Sequence, residues 1–245
     1  MPIADNIKLA VVTGGGHGIG RAICRRLSRD GCDVVVADIE EDAAVAVAGE
    51  IGGRGYGVDV GDADSMAGSK RGGIGNAEDR WAACWRVNVM AHVYAARTLI
   101  PLMVARDGGY LVNVASAAGL LSQIGDAAYS ATKHAAVAFA ESLAITHGEQ
   151  GIHVSVVCPQ AVATRMIGIA DDSDSLEGGF GGNDVDGILR PEDVADRIVE
   201  GIEEKRFLIL PHPQVATYVQ RKANDNDRWI AGMQRFQRKL SRQGD

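Results

Sequence analysis

Short apolar runs and helix-spaced apolar positions alternate along the first part of the chain. The first helical pattern stops at Gly31, and a second one runs from Glu40 to about Glu50. The apolar runs are continuous and rich in β-branched residues, as in parallel strands that are buried on both faces. The pattern therefore predicts strands at 9–12, 33–38 and 55–60. The apolar stripe of the first helix consists of Ile19, Ala22, Ile23 and Leu27.

The same alternation continues in the second half of the chain. A long helix is predicted from Asn76, whose side chain caps it with Asp79 at the third position, to about Arg106. The segment 165–189 is rich in Gly, Asp and Ser, which is typical of a mobile substrate loop. The remaining predicted elements are strands at 110–115, 153–158 and 207–210, an Ala-rich helix that stops at Gly148, a helix at 190–204 and an exposed helical tail at 215–242.

The order of these elements predicts an α/β protein with a doubly wound parallel sheet and helices on both faces. A length of 245 residues with 46% apolar residues is enough for one well-packed domain. Internal repeats and an interdomain linker are not evident, so 1–245 is interpreted as a single domain.

A glycine-rich turn joins the first predicted strand to the first helix. Gly14, Gly18 and Gly20 allow the backbone to bend tightly and to approach a pyrophosphate, whose charge a helix N-terminus favours. Ile19 lies within the same turn. An ordinary Gly-rich loop is the alternative, but strand, turn and helix follow in the order that a dinucleotide site requires.

Asp38 ends the second predicted strand, eighteen residues after Gly20. A carboxylate there accepts hydrogen bonds from adenosine ribose hydroxyls and repels a 2′-phosphate. Residues 39–42 supply no Lys or Arg for such a phosphate, and His17 in the turn is mostly neutral at pH 7. NAD is therefore favoured over NADP, and a solvated strand end is the alternative interpretation of Asp38.

Further candidate cofactor contacts lie at the carboxyl ends of strands, where open α/β sheets bind ligands. Asp59, with Val60, ends the third predicted strand, where a carboxylate can meet the adenine amino group. Pro159, Val162 and Thr164 follow a strand of the second half. Thr164 is interpreted either as a partner of the nicotinamide carboxamide or as a turn-stabilising residue.

Tyr129 and Lys133 carry the most informative chemistry, because residues four apart share one face of a helix. A free phenol has a pKa of about 10, and a nearby positive charge favours its ionised form. Such a phenol is usable as an acid or base near neutral pH. Ser116, thirteen residues earlier at a strand end, could hold a carbonyl or carbinol oxygen beside it. The arrangement suits proton transfer at an alcohol oxygen; a surface lysine beside a helical tyrosine is the alternative.

Charge and composition narrow the possible partners. A net charge of −7 argues against nucleic acid or an anionic membrane as the main partner. We see no apolar run near the roughly 18 residues of a membrane span, and no signal peptide in residues 1–5. The cysteines and histidines lack metal-ligand spacing, so we expect no metal cluster and a cytoplasmic protein with reduced thiols. The cysteines are Cys24, Cys32, Cys84 and Cys158.

Several motifs together resemble the short-chain dehydrogenase/reductase family in its single-domain form, in the right order over about 210 residues. They are Thr13-Gly14-x3-Gly18-x-Gly20, Asn88, Ser116, Tyr129-x3-Lys133 and Pro159. The resemblance implies a three-layer α/β/α Rossmann fold, Tyr129 as general acid–base and Ser116 as ligand of the substrate oxygen. Lys133 would bind the nicotinamide ribose and lower the pKa of the phenol. Asn88 would hold a water that links Lys133 to solvent.

Two features depart from that family. Its Pro-Gly after the strand at 153–158 is Pro159-Gln160 here, which either narrows the nicotinamide pocket or is tolerated. Only twenty-nine positions lead from Asp59 to Asn88, where the family places a helix, the central fourth strand and an Asn-Ala-Gly turn. The short interval contains no apolar run for a buried strand, and a crossover helix alone needs about ten residues. The segment for the central strand therefore appears missing, which would open the middle of the sheet.

Three explanations fit the short interval. Residues are left out of the sequence because they have no coordinates, a segment is deleted in the gene, or the chain has re-closed its sheet. The first is favoured because both flanks have normal family sequence. An intact mass near 25.8 kDa would exclude it.

The sequence predicts an NAD-dependent oxidoreductase that interconverts a secondary alcohol and its ketone. A catalytically silent NAD-binding or regulatory protein is the alternative if the short interval is real. A nucleotide-sugar epimerase is disfavoured, because the C-terminal part is too short for a sugar domain.

The resemblance also implies a homodimer or homotetramer built from the helices of Asn88 and Tyr129. Trp81 and Trp85 suit either that interface or the core. Substrate contacts are expected from 165–189 and 117–124, whose apolar residues are Leu120, Leu121 and Ile124. The basic residues of the tail are interpreted as a solvated helix face, namely Arg221, Lys222, Arg228, Arg235, Arg238, Lys239 and Arg242.

Overall fold

A computed structural model describes residue 3 and residues 7–61, 77–171, 173, 176 and 186–242, without the side chains of 77–79 and 241. The strands in these ranges are β1 (Leu9–Thr13), β2 (Asp33–Asp38), β3 (Arg54–Gly57), β4 (Gly109–Val114), β5 (Ile152–Val157) and β6 (Leu208–Ile209). The helices are α1 (Gly18–Arg29), α2 (Glu41–Ile51), α3 (Ala77–Trp85), α4 (Ala91–Val104), α5 (Ala127–His147), α6 (Pro191–Glu203), α7 (Gln214–Asn224) and α8 (Asn226–Ser241). The strands and helices alternate as the sequence predicts.

The third strand ends earlier than predicted. It stops at Gly57, so Asp59 and Val60 lie in the turn that follows rather than in the strand. The Asp59 carboxylate accepts a hydrogen bond from the Gly61 amide at 2.9 Å. Such a local side-chain-to-backbone bond stabilises a turn in place of the strand ladder.

The predicted long helix is confirmed from Ala77 to Val104, with a π-helical turn (Arg86–Met90) between α3 and α4. The expected cap by Asn76 and Asp79 lies outside the described side chains. The predicted helical tail forms two helices rather than one. They are separated at Asp225, whose carboxylate accepts a hydrogen bond from the Arg228 amide at 2.9 Å and caps α8.

The strands form two parallel three-stranded sheets, β1-β2-β3 and β4-β5-β6. Within the described ranges no strand joins β1 to β4, as expected if the central strand is missing. The full sequence has 245 residues, and all of them have coordinates. The favoured explanation of the short interval, that residues without coordinates were left out, is therefore wrong. The sheet has not re-closed among the described strands either. A deletion in the gene agrees with both findings.

One face of the first sheet is left open. Leu9 and Val11 alternate on β1 and are 51% and 56% exposed. Tyr56 of β3 lies on the same face, because Thr13 pairs with Ala37 and Ala37 pairs with Tyr56 in register, and it is 50% exposed. Helices normally cover both faces of a parallel sheet, so these exposures show that the described helices leave this face of the first sheet largely uncovered.

The opposite face of the first sheet packs into an apolar cluster that also contains residues of the second sheet. Val36 of β2 and Val157 of β5 are fully buried in it, together with Val194 and Ile198 of α6. Helices α1 and α6 pack against each other, and Arg26 donates to Asp196 at 2.8 Å between them. The two halves are therefore held together by side chains and helices rather than by strand pairing.

The helix Arg80–Val104 is long and apolar enough to cross a membrane by length and composition, with a mean hydropathy of 1.3. The sequence analysis did not single out this segment. One such helix is weak evidence for a membrane span, because core helices of soluble proteins also meet this criterion. Trp81 and Trp85 are 48% and 49% exposed, so they do not pack into the core of this chain.

All four cysteines are free. Cys24, Cys32 and Cys158 are buried, and Cys84 is partly exposed. Burial raises the pKa of Cys24 to about 12 and that of Cys158 to about 11, so both remain thiols at neutral pH.

The open face can be tested with two valines on paired strands. Val36→Ala should lower the free energy of unfolding by about 2 kcal/mol, because it leaves a cavity in the shared cluster. Val11→Ala should cost less than about 0.5 kcal/mol, because more than half of that side chain is exposed. Urea unfolding of both variants measures the difference. Equal losses would show that this face of β1 is covered.

Candidate active site

The first turn of α5 and the end of β4 bring the predicted catalytic residues together. Asp126 caps α5 by accepting a hydrogen bond from the Tyr129 amide at 3.1 Å. Ser116 lies two residues beyond β4, and its hydroxyl oxygen accepts from the Ala118 amide at 3.1 Å. The Ser116 hydroxyl also hydrogen-bonds the Tyr129 phenol. The contact predicted from sequence spacing is present.

Burial raises the pKa of the Tyr129 phenol above its ordinary value. The hydrogen bond from Ser116 opposes this rise, and the nearby Asp126 adds to it. The sequence analysis expected Lys133 to lower the pKa of the Tyr129 phenol, and the structure shows a raised pKa instead. The Lys133 ammonium lies over the phenol ring, 5.6 Å from the ring centroid, and donates elsewhere.

Lys133 is buried and donates to the backbone oxygen of Val114 at 3.2 Å. Val114 ends β4, so this bond ties the lysine to the strand that carries Ser116. Burial lowers the pKa of Lys133 to about 8. The group therefore changes its charge in the mildly alkaline range.

Asn88 lies in the π-helical turn between α3 and α4. Single π turns within α-helices occur frequently at functional sites. Its amide nitrogen donates to the Thr132 hydroxyl at 3.0 Å, and Thr132 donates in turn to the backbone oxygen of Ala128 at 2.8 Å. Asn88 is thus attached to α5 beside Lys133, and the water expected there stays a prediction.

His92 is a neighbour of this group that the sequence analysis did not identify. It lies one helical turn after Asn88, and its ring hydrogen-bonds the buried Asn113 side chain of β4. Burial lowers the pKa of His92 to about 4, and the Lys133 charge contributes to this shift. The spacing of four from Asn88 was the available signal.

The glycine-rich turn bends as tightly as the sequence predicts. Gly18 has a φ of +48°, in the left-handed region. A side chain at Gly20 would place its Cβ 2.0 Å from the Gly14 oxygen, so only glycine fits where the turn closes onto α1. Ile19 is partly buried against the shared apolar cluster.

Asp38 lies beside the turn, 7% exposed. One carboxylate oxygen accepts from the Gly16 amide at 2.9 Å, and the other accepts from the Glu40 amide at 3.0 Å. These two bonds hold the carboxylate in a single orientation at the end of β2. Asp38 is not the solvated strand end of the alternative interpretation.

A carboxylate from the loop after β5 is bound at the N-terminus of α1. Asp171 accepts from the Gly18 amide at 3.1 Å and lies 2.8 Å from the His17 ring. Arg165 donates to Asp171 at 2.8 Å, and it lies 3.9 Å from Glu40. An anion thus lies where the sequence predicts a pyrophosphate, and the sequence analysis anticipated neither Asp171 nor Arg165 there.

The residues that follow β5 occupy the predicted end of the sheet. The Pro159 oxygen accepts from the Ala117 amide at 2.8 Å, and Val162 pairs with Leu189. The Thr164 hydroxyl donates to the Val162 oxygen at 3.2 Å. That bond is the turn-stabilising alternative for Thr164.

Comparison with known proteins gives a consistent result. A family model described as short chain dehydrogenase matches residues 8–72 and 67–174. The two matches meet inside the short interval. A 1-deoxy-11-beta-hydroxypentalenate dehydrogenase of Streptomyces exfoliatus is 31% identical over 233 positions, covering 83% of this chain and 82% of that protein. The alignment has 233 positions, which is more than 83% of the 245 residues of this chain. The relative therefore has residues without a counterpart in this chain.

Other similar proteins share the same architecture. A meso-2,3-butanediol dehydrogenase of Serratia marcescens is 31% identical over 66% of this chain and 74% of its own length. A short-chain dehydrogenase/reductase of Burkholderia phymatum, solved with NAD, is 27% identical with a TM-score of 0.75, over 90% of this chain and 94% of that one. A short-chain dehydrogenase of Sphingobium yanoikuyae, solved with NADPH, has a TM-score of 0.72 at 20% identity, over 93% of this chain and 96% of that one.

The Asp171 contact predicts an increase in cofactor affinity on mutation. Asp171→Ala should lower the NAD dissociation constant by about tenfold, because the carboxylate must leave the Gly18 amide before a phosphate can bind there. Calorimetric titration with NAD measures the change. Asp227→Ala, an exposed site on α8, serves as the control. Unchanged or weaker NAD binding in Asp171→Ala would refute this competition.

His92 predicts an acid-sensitive contribution to stability. Its pKa is about 4 when folded and about 6.5 when unfolded, so the unfolded state binds more protons between these values. Stability should fall with decreasing pH across this window, by up to about 1.4 kcal/mol per pH unit from this residue. His92→Gln should remove that part of the slope in urea unfolding. The same slope in His92→Gln and the native chain would contradict the assignment.

Proposed function

Because this chain belongs to the short-chain dehydrogenase family of oxidoreductases, we propose that it is an NAD-dependent enzyme that interconverts a secondary alcohol and its ketone. The observation that carries the proposal is the meeting of Ser116, Tyr129 and Lys133 between the end of β4 and α5. Dehydrogenases of alcohols among its relatives support this reaction class.

The glycine turn and Asp38 fit a dinucleotide. The turn already holds an anion, the Asp171 carboxylate, on the Gly18 amide, which supports its capacity to hold a phosphate. Asp38 would accept hydrogen bonds from the adenosine ribose hydroxyls. The nicotinamide of such a cofactor supplies an acceptor for the carbinol hydride.

Proton transfer is the task of Tyr129. In the oxidative direction its phenolate oxygen takes the proton of the substrate hydroxyl, while the Ser116 hydroxyl steadies the same oxygen. Burial raises the pKa of the phenol, so a higher pH favours the phenolate that oxidation needs. Lys133 and Asn88 hold this helix face in place through Val114 and Thr132.

Charge near the turn favours NAD over NADP. The Asp38 carboxylate would repel a 2′-phosphate, and Arg165 ion-pairs with Asp171 and lies near Glu40. That arginine is thus balanced by carboxylates. The Burkholderia phymatum and Sphingobium yanoikuyae structures were solved with NAD and NADPH respectively, so the fold alone does not select the cofactor.

The remaining assignments concern the setting of the protein. A second copy of the chain would cover the exposed apolar side chains of α3 and α4, among them Trp81, Trp85 and Leu102, to form a homodimer or homotetramer. The proposed location is the cytoplasm, and the proposed substrate is a small-molecule alcohol or ketone. The net charge of −7 supports the proposal that neither nucleic acid nor a membrane is a partner.

A catalytically silent NAD-binding or regulatory protein is the second candidate. The observation that favours it is the open face of the first sheet at Leu9 and Val11, since this sheet carries the glycine turn. In this candidate the turn binds NAD weakly or not at all, although the Tyr129 group is intact. NAD titration of the native chain, combined with an alcohol panel, separates the two candidates.

Tyr129→Phe tests the chemical assignment. It should lower kcat for a responsive secondary alcohol by at least about 10²-fold, because the proton acceptor is removed. The NAD dissociation constant should stay within about twofold, since the ring is kept. Tyr56→Phe, at an exposed position on β3, is the control with unchanged kinetics. Substantial turnover by Tyr129→Phe would refute the role of this residue.

A further inference from the structure

Helix α7 carries two polar side chains one turn apart that contact the loop base after β5 and the segment after Ser116. Tyr218 and Lys222 share one face of the helix, and both are partly buried. The Trp229 ring of α8 packs against Tyr218, with ring centroids 6.4 Å apart. The last helix therefore supports the Tyr218 side chain.

The upper half of this face reaches the base of the loop at 165–189. Tyr218 donates from its hydroxyl to one oxygen of Asp186 at 2.8 Å. The other oxygen of Asp186 accepts from the Gln160 side chain at 2.7 Å. Beside Asp186, the Ala163 amide donates to the Leu189 oxygen at 2.9 Å.

Gln160 is the residue that replaces the glycine of the family motif. Its side chain points to Asp186, and its backbone amide donates to the buried ring of His212 at 3.1 Å. These contacts of Gln160 give no support to the interpretation that the residue narrows the nicotinamide pocket. The glutamine instead connects the end of β5 with the loop base and, through Asp186, with α7.

The lower half of the face reaches the segment that follows Ser116. The Lys222 ammonium donates to the backbone oxygens of Leu120 and Leu121, at 2.8 and 3.2 Å. The sequence analysis interpreted Lys222 as part of a solvated helix face. These two hydrogen bonds show that this interpretation is wrong for Lys222. The far end of the same segment is attached to α5, because the Ser130 hydroxyl accepts from the Gln123 amide at 2.8 Å.

We propose that Gln160, Asp186, Tyr218 and Lys222 form a clamp that positions both substrate-facing segments, 117–124 and the loop base at 186–189, against α7. The clamp rests on the proposed function only in the claim that these segments contact the alcohol. Its members are positioning residues: they act on the substrate through Leu120, Leu121 and the loop base at 186–189, not by direct contact with the reacting atoms.

The geometry predicts separate effects on substrate and cofactor. Lys222 lies at the segment after Ser116, whereas the glycine turn and Asp38 are built from the first sheet. Loosening the clamp should therefore raise the KM for the alcohol and relax selectivity among alcohols of different size. Cofactor affinity should stay unchanged when the clamp is loosened at Lys222.

Lys222→Met is the primary variant, because methionine keeps much of the length and apolar character without the donors. Its KM for the alcohol should rise about tenfold, with kcat reduced less than about threefold and the NAD dissociation constant unchanged. Lys222→Arg retains a cationic donor and should restore most of the loss. Lys239→Met, at an exposed position on α8, is the matched control.

Hydrogen exchange provides a readout that does not depend on activity. The amides of Leu120 and Leu121 donate to the Ala117 oxygen, so their exchange reports on the order of this segment. Exchange there should be about tenfold faster in Lys222→Met than in Lys239→Met. Native exchange and native KM in Lys222→Met would overturn the clamp, and so would equal changes in both variants.

A double-mutant cycle tests the other half. Gln160→Gly and Tyr218→Phe both remove a donor to Asp186, so their effects on KM, or on exchange at Gly187 and Leu189, should be non-additive. Additive effects would show that Asp186 does not couple them. If the native chain turns over no alcohol, the proposed function fails, and the exchange measurements alone decide for or against the clamp.

Discussion

The parallel pairing of β4 with β5 is the interaction on which the candidate active site depends. Val114 pairs with Val157, and the ladder continues past both strand ends, where the Ala117 amide donates to the Pro159 oxygen at 2.8 Å. The register of these two strands therefore fixes the position of Ser116 relative to the residues that follow β5. Helix α5 packs across the same strands, and Lys133 bonds to Val114. One register thus sets the positions of the serine, the phenol and the lysine.

The half of the protein that carries the glycine turn depends on a different set of contacts. With no strand between β1 and β4 among the described residues, the first sheet is joined to the second through the cluster of Val36, Val157 and α6 and by the packing of α1 on α6. Side-chain packing of this kind is less directional than a strand ladder, which fixes register through paired hydrogen bonds. The separation between the glycine turn and the Tyr129 phenol is therefore governed by side-chain packing between the two sheets.

Much of the local structure was predictable because its causes are local. The strand at 33–38 matches β2 residue for residue, and the helix carrying Tyr129 stops before Gly148 as predicted. The misses also have local physical causes that compete with periodicity. The Asp59 carboxylate captures the Gly61 amide and ends the third strand early, and Asp225 caps a new helix inside the tail. The Ser116–Tyr129 contact was predictable from the order of motifs, whereas His92 was overlooked within a mostly apolar helix.

The sequence by itself determined the order of strands and helices, the glycine turn, the spacing of Tyr129 and Lys133, and the lack of a segment for a central strand. Only the tertiary structure decided which distant groups meet: Asp171 with Gly18, Lys222 with Leu120, and Gln160 with Asp186. It also decided that burial raises the pKa of Tyr129, although the neighbouring lysine predicts a lower value. The reason is physical. Spacing along a helix follows from backbone geometry, whereas desolvation and long-range hydrogen bonds depend on how segments far apart in the chain pack together.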